Sequence, residues 1–392
     1  MKILHLIPTY KPAYIYGGPI FSVSLLCENL AKAGHEVKML TTTANGPDEL
    51  DVPIGVPQDV DGVNTIYFRR WTKDHSHLSP ALTWQMWKDC RRYDVVHFHS
   101  WWNIPTLVSV LLCWLRGVKP VLSPRGMLSD FSFEKKHASL KALFHRTVGR
   151  FLLRKTIHHR TSEAEKAEVA SIGADSFILP NFIQLAPDAQ SPIPDSSASP
   201  AGGQAPFTLL FLSRIHPKKN LENLFEALTR VDFDFLFQIA GMGEESYIRK
   251  LKERTSSMEL KDKVQWLGPL HGKEKFERYV AADLFVLPSI NENFANVVIE
   301  VLSEGTPVLV SEGVGLANYV KENGLGWVCD TAPEDIARML TTIHSRPEKL
   351  GAIRQAAPDI IRQDFSPETL TQRYIKAYQS LISRARPATP HR

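Results

Sequence analysis

Short runs of aliphatic and β-branched residues alternate along the chain with longer stretches in which apolar positions recur every three or four residues. In the first half the runs KILHLI, HEVKML, DVVHFH and PVLS read as strands, with helix patterns from about Ile20 to Lys32 and near Pro105–Arg116. Gly34 stands where a left-handed residue would end the first helix, and His35 leads straight into the next strand. Strands separated by helices predict parallel pairing, because two parallel strands need a crossover between them. From Phe207 the same rhythm resumes as FTLLFLS, FLFQIAG, VQWLG, LFVLPS, PVLVS and GWVC, with helices starting near Asn220, Glu244 and Asn296 and another closing at Ala282. A last amphipathic helix runs from Pro367 to Ile382, with Ser366 as N-cap and Pro367 as first helical residue. No strand follows it.

Residues 185–206 interrupt this rhythm with a Pro-, Ser-, Ala- and Gly-rich stretch, which reads as a solvated linker. A chain of 392 residues with 43% apolar content suits two packed domains, one on each side of it. Cys27, Cys90, Cys113 and Cys329 are scattered without CxxC spacing, so neither a disulfide framework nor a structural metal is expected, and a reducing compartment fits. MKILHLIPTY reads as a first buried strand, not a secretory leader. The longest apolar stretch, Leu107 to Leu115, falls short of the ~20 residues that cross a bilayer and is expected to be a buried helix.

Charge changes the picture in one place. The net +4 lies entirely in residues 1–206, and between Glu134 and Arg160 eight Lys/Arg and four His accompany one acid. Such a bias predicts contact with something anionic. Lys141, Arg146, Arg150 and Arg154 recur every four or five residues, beside an apolar stripe of Leu140, Leu143, Phe144, Val148, Phe151 and Leu152. The segment 134–160 is therefore expected to form a basic amphipathic helix on an anionic membrane surface.

Four stretches carry candidate chemistry. In PSINENFANVVIEVL a strand ends, a loop presents Glu292, and a helix begins near Asn296 with Glu300 roughly 6 Å further along it. Free amides at such an end suit a phosphate, and carboxylates, which only accept hydrogen bonds, suit sugar or ribose hydroxyls. Glu300 could equally complement the helix dipole. In SRIHPKKN, Arg214 follows a strand and Lys219 opens a helix, so both cations can face one anion. Gly17 and Gly18 interrupt the loop after the first strand, where a ligand can approach the backbone closely. In VVHFHSWW, His97 and His99 point to one side of a strand's end, and Trp101 and Trp102 either stack on a sugar or pack in the core. A nicotinamide-binding reading of IAGMGEES fails, because Ser246 occupies the place of the third glycine.

Taken in order, GG-x4-V-x6-L-A-x2-G-H-E-V, D-V-V-H-x-H, SPRGML at 123–128, S-R-x4-K-N, the G-x-G-E loop at 241–244 and E-x7-E at Glu292 and Glu300 resemble family 4 retaining glycosyltransferases of the GT-B fold. The resemblance runs from Met1 to about Ser383. It implies an α/β protein of two Rossmann-like, doubly wound domains facing across a cleft. One is an acceptor-binding domain of residues 1–184, to which the closing helix at 367–392 returns; the other, at 207–366, binds the nucleotide sugar.

It further implies that Arg214 and Lys219 bind the donor diphosphate, Glu300 the ribose and Glu292 the donor sugar, aided by backbone amides of Phe294, Ala295, Asn296 and Val297 and by the Gly241 loop. Gly17 and Gly18 would approach the phosphates from the other domain. His99 would sit near the reacting carbon, with His97 as alternate, and Arg125 of SPRGML on the acceptor side. The implied reaction is front-face displacement with retention, needing no metal and no cofactor beyond the nucleotide diphosphate sugar. Ala295 departs from the family's usual glycine, as does Phe182 in LPNFIQ. SPRGML is similar to enzymes of bacterial surface-polysaccharide assembly and points to a lipid-linked saccharide acceptor. The expected protein is cytoplasmic, peripheral at the inner face of the membrane, with no nucleic-acid partner. A sugar-nucleotide epimerase or hydrolase on the same fold is the alternative.

Overall fold

The computed structural model describes residues 1–128, 143–163, 165, 172–185 and 205–385. The chain divides into two compact units, Met1–Gln184 with Phe365–Arg392, and Leu185–Asp364. Of the stretch read as a linker, residues 186–204 lie outside the described residues, as do 129–142 of the basic segment.

The strands of the first unit are β1 (Lys2–Leu6), β2 (Glu36–Thr42), a small ribbon of β3 (Ala44–Asn45) and β4 (Asp48–Glu49), then β5 (Pro57–Val60), β6 (Val63–Phe68), β7 (Val95–His99), β8 (Val121–Ser123), β9 (Ile157–Arg160) and β10 (Ser176–Ile178). Eight of them form one sheet in the order β10-β9-β8-β7-β1-β2-β6-β5. Only β5 is antiparallel in it. The order reverses between β1 and β7, the point at which doubly wound sheets open a crevice at their carboxyl edge. Strand β1 leads there through the Gly17 turn into the helix Gly18–Lys32. That helix stops as the pattern predicts, at Gly34 with φ of +83°.

In the second unit β11 (Phe207–Leu212), β12 (Phe235–Ala240), β13 (Val264–Gly268), β14 (Leu284–Leu287), β15 (Val308–Ser311) and β16 (Gly326–Cys329) form a wholly parallel sheet in the order β13-β12-β11-β14-β15-β16. Here the reversal falls between β11 and β14. β14 is fully buried and β11 is buried at Leu209–Phe211, and both are apolar apart from Thr208, so the polar residues sit in the loops beyond their ends.

The closing helix, Pro367–Ala385, belongs to the first unit. Ser366 caps it, its Oγ accepting from the Thr369 amide at 3.3 Å. Leu370, Tyr374 and Tyr378 bury their side chains among Ile3, Val23, Leu26, Met39 and Phe182. The bulky residue at Phe182 thereby gains a reason, since its ring lies 5.5 Å from that of Tyr374.

Beneath this helix runs a chain of buried polar groups with one consistent arrangement of protons. His159 Nε2 lies 2.9 Å from the Leu179 carbonyl, which only accepts, so this nitrogen carries the hydrogen. His159 Nδ1 then accepts from Ser123 Oγ at 2.6 Å, Ser123 accepts from His97 Nε2 at 2.6 Å, and His97 Nδ1 accepts from the Tyr378 hydroxyl at 2.7 Å. Four donors meet four acceptors without any charge. The buried strand β9, IHHR, escaped the hydropathy pattern for this reason: its polar side chains are inside because they are bonded, not because they are apolar.

Two expectations fail. The helix Ile104–Leu115 is not wholly buried, since Leu111, Trp114 and Leu115 are 37%, 40% and 58% exposed. Nor is 134–160 one helix: among the described residues a wide turn at His145–Gly149 runs into a short helix, Arg150–Leu153, and 157–160 is strand β9. His158, His159 and Arg160 are buried in that sheet and face no membrane.

Burial, and after it the repulsion that protonated His159 or His5 and the Arg125 cation would exert, lowers the His97 pKa well below its ordinary value, while His5 and His159 are held near 3. Between pH 6.5 and about 3 the unfolded chain takes up protons that these folded sites refuse, so stability falls with acidification. Six of the eight tryptophans lie in the first unit, so their fluorescence reports its melting. We expect its Tm to drop between pH 7 and pH 5 and to stay level between pH 7.5 and 8.5. A Tm unmoved by the acid step would contradict the buried neutral histidines.

Candidate active site

The residues of SRIHPKKN form a tight turn beyond β11. His216 caps a single 3₁₀ turn, Pro217–Lys219, its Nδ1 accepting from the Lys218 amide at 3.2 Å. Asn220 is left-handed with φ of 59° and ties its side chain to the Thr331 carbonyl, so the helix begins one residue later than the pattern suggests, at Leu221. Arg214 stays exposed, with no described hydrogen bond or ion pair, while Lys219 is buried and its Nζ is ion-paired to Glu292 Oε2. The turn is fixed to the loop after β14 by the Ile290 amide, which donates to the Lys218 carbonyl at 2.8 Å. Two sequence stretches seventy residues apart thus make one site.

Glu292 is held by its own backbone, its amide donating to Gly313 O and its carbonyl accepting from the Gly315 amide, each at 2.8 Å. Phe294 and Ala295 are buried, and Asn296 opens the helix Asn296–Ser303, with Val297 in its first turn. The first turn of a helix presents amides without acceptors inside the helix, and here the Val298 amide is taken by the Ala295 carbonyl at 2.9 Å. Ala295 adopts φ 69° and ψ 68°, the left-handed conformation for which glycine is the unstrained residue. Glu300 is partly buried on this helix, and its Oε2 accepts from Lys275 Nζ and from the Tyr279 hydroxyl, both at 2.9 Å. Sequence reasoning missed these two partners. The spacing from Lys275 to Tyr279 is one helical turn, but nothing in it shows which distant acid they meet.

Gly241, with φ of 138°, is required by sterics inside the unit. A Cβ there would lie 1.9 Å from the Ser213 carbonyl oxygen, and one at Gly243 would lie 2.3 Å from that of Ile215. The glycines let the loop after β12 pass against the Arg214 turn.

In the first unit the Gly17 turn has φ 69° and ψ −137°, a region that favours glycine, and Gly18 is the first helical residue beyond it. His97 and His99 do share a face of β7, their ring centroids 4.2 Å apart. Both rings are fully buried. The two nitrogens of His97 are spent on Tyr378 and Ser123, which makes it a part of the fold's interior and leaves no free nitrogen for an acceptor. His99 Nε2 lies 3.0 Å from Nδ1 of His5, the residue beside His97 on β1. Arg125, left-handed at the end of β8, donates to Ser22 Oγ at 2.8 Å and Asn181 Oδ1 at 3.0 Å. Its Nη2 lies 3.5 Å from His99 Nδ1. Nitrogens of His5, His97 and His99 converge closely enough to hold a metal ion. The fit is poor: the His97 nitrogens are already bonded, and the Arg125 cation stands beside the cluster. Trp101 is fully buried and packs in the core, and Trp102 donates its indole N–H to the Met127 carbonyl at 2.7 Å.

Comparison with known proteins bears on the family and the fold. The model "Glycosyl transferase 4-like domain" matches residues 17–180 and "Glycosyl transferases group 1" matches 195–359. An uncharacterized glycosyltransferase of Methanocaldococcus jannaschii is 26% identical over 366 residues, covering 86% of this chain and 87% of that protein. A phosphatidyl-myo-inositol mannosyltransferase of Mycolicibacterium smegmatis is 23% identical over 376 residues, covering 93% and 90%. Among solved structures, Anabaena HepE in complex with UDP-glucose superposes with a TM-score of 0.72 at 18% identity, over 97% of this chain and all of that one. The chain belongs to the group 1, family 4 glycosyltransferases of the GT-B fold.

Ala295 offers a test of how this site is built. Glycine at a left-handed position avoids the strain of a Cβ, about 1 kcal/mol, partly offset by the greater freedom it gives the unfolded chain. Ala295→Gly is therefore expected to leave the second unit as stable as before or stabilised by up to about 1 kcal/mol in urea unfolding. A clear loss of stability would show that the Ala295 methyl is worth more in packing than its backbone costs.

Proposed function

We propose that the protein is a retaining, metal-independent glycosyltransferase that moves a sugar from a nucleoside diphosphate sugar to a hydroxyl of a lipid-linked saccharide in bacterial polysaccharide assembly. The observation that carries the donor half is the convergence of Arg214, Lys219, Glu292 and the Asn296 helix start beyond the ends of β11 and β14. Arg214 is an exposed cation beyond β11 with no ion pair among the described residues, and an open guanidinium of this kind suits a diphosphate. HepE, a protein of the same fold, is described in complex with UDP-glucose.

In this reading the incoming diphosphate draws Lys219 away from Glu292, and the freed carboxylate takes hydroxyls of the donor sugar. Glu300 takes the ribose hydroxyls, and amides from Phe294 to Val297 help to seat the donor with the Gly241 loop. As the bond from the anomeric carbon to the phosphate oxygen breaks, Arg214 and Lys219 stabilise the charge on the departing diphosphate. The acceptor oxygen bonds to the same face of that carbon, and its proton passes to the leaving phosphate. Within the first unit, Arg125 is tied to Ser22 of the helix that Gly17 and Gly18 open, with His99 beside it as a neutral neighbour.

The acceptor half rests on one face of the first unit. Trp114 and Phe151 meet edge to face at 5.1 Å, and Lys155 Nζ lies 5.7 Å and 5.2 Å from their ring centroids. Arg146, Arg150, Arg154 and Lys155 line a groove of about 300 Å³ beside them. Leu115, Leu143 and Val148 add exposed apolar surface. Cations around exposed tryptophan and aliphatic side chains suit an anionic lipid surface, and no helix among the described residues is long and apolar enough to cross a membrane.

Arg214→Ala and Lys219→Ala are each expected to lower transfer by on the order of a hundredfold or more, with folding nearly unchanged. Wild-type turnover in either would remove it from the diphosphate, and donor breakdown without transfer in any acceptor screen would favour the hydrolase alternative. Thermal-shift screening against UDP-, GDP- and dTDP-sugars identifies the donor, since a ligand at 100 times its Kd adds ~2.7 kcal/mol.

The membrane face is tested by sedimentation with vesicles. Binding is expected to anionic vesicles and not to neutral ones, to weaken with salt, and to weaken further when Lys141, Arg146, Arg150 and Arg154 become glutamine. Equal binding to both vesicle types would end the membrane assignment and leave the transferase reading standing.

A further inference from the structure

The helix Gly272–Ala281 contributes nothing to the sequence motifs, yet it reaches the candidate donor site through two side chains of one turn. Lys275 Nζ and the Tyr279 hydroxyl both end on Oε2 of Glu300, at 2.9 Å each. Neither donor is a loose surface contact. The Lys275 and Glu300 side chains are 17% and 15% exposed, and Tyr279 is fully buried. The Lys275 ammonium also lies 4.8 Å from the Phe276 ring centroid and 5.9 Å from that of Tyr279. Burial, joined by the Glu300 charge, pushes the Tyr279 phenol well above its ordinary pKa, so it remains a donor at any physiological pH.

Two donors on one oxygen fix the plane of the carboxylate and leave Oε1 as an acceptor without a partner among the described residues. The charge pattern is also informative. Lys219 with Glu292 and Lys275 with Glu300 form two neutral pairs, leaving Arg214 as the one unpaired charge of the five groups. Without Lys275 the Glu300 charge would face a polyanionic ligand uncompensated, and only Tyr279 would orient it.

We propose that Lys275, seconded by Tyr279, is a positioning residue that holds the Glu300 carboxylate to read the ribose hydroxyls of the donor nucleotide. The proposal rests on the donor-site reading above. It makes recognition of ribose against deoxyribose depend on a residue that does not touch the sugar.

The test compares UDP with 2′,3′-dideoxyuridine diphosphate, or the corresponding GDP pair if guanosine is the base bound, by calorimetric titration of the full-length chain. Hydroxyls on a fixed carboxylate should make the wild type prefer the ribonucleotide by roughly tenfold or more. In Lys275→Met that preference is expected to fall to about twofold or less, in Tyr279→Phe to an intermediate value, and Lys275→Arg should restore most of it. In turnover, donor KM should rise with kcat nearly unchanged. A general loss of charge or of folding would weaken both nucleotides alike and leave their ratio intact. A ratio unchanged in Lys275→Met, beside a wild type that does discriminate, overturns the role of Lys275 alone. A wild type that binds both nucleotides equally, or neither, overturns the ribose assignment of Glu300 and this proposal with it.

Discussion

The need of parallel strands for a crossover governs everything else in this protein. Each strand of the two sheets, β5 apart, runs the same way as its neighbours, so every connecting helix must return the chain to the opposite edge. All loops at the carboxyl edge are thereby gathered on one side. Where the strand order reverses, at β1 and β7 and again at β11 and β14, two such loops diverge and leave room between them. Glu292, Lys219, Arg214 and the Asn296 helix start are at one reversal; Gly17, His99 and Arg125 are near the other.

Charge is handled differently in the two units. In the second, cations and carboxylates neutralise each other through Lys219 with Glu292 and Lys275 with Glu300. In the first, a cluster of His5, His97, His99 and His159 stays uncharged because burial, joined by the nearby Arg125 guanidinium, makes protonation unfavourable. The polar interior is affordable there because its hydrogen bonds close upon one another.

That closed network also explains why the chain's last helix belongs with its first strands. Tyr378 and Tyr374 each add a hydroxyl to the buried chain, Tyr374 donating to the Pro180 carbonyl at 3.0 Å while Tyr378 reaches His97. Apolar contacts with Ile3, Val23 and Leu26 supply area, and the two hydroxyls supply the match that a merely greasy helix would lack.

Much of this was legible in the chain alone. Alternation of buried strands with amphipathic helices fixes a doubly wound architecture, and Arg214, Lys219, Glu292 and Glu300 stand at strand ends and helix starts that local patterning already marks. The same patterning passed over β9, whose IHHR is polar yet buried, and over Lys275 and Tyr279, whose spacing is that of any helix face. It also placed the apolar helix Ile104–Leu115 inside, where the fold leaves Trp114 and Leu115 exposed. The physical reason is common to these cases. Hydropathy and spacing report what a residue prefers along its own element, whereas burial of a bonded histidine, capture of Glu300 by Lys275 and exposure of Trp114 depend on which other element arrives opposite. Only the tertiary structure brings those partners together.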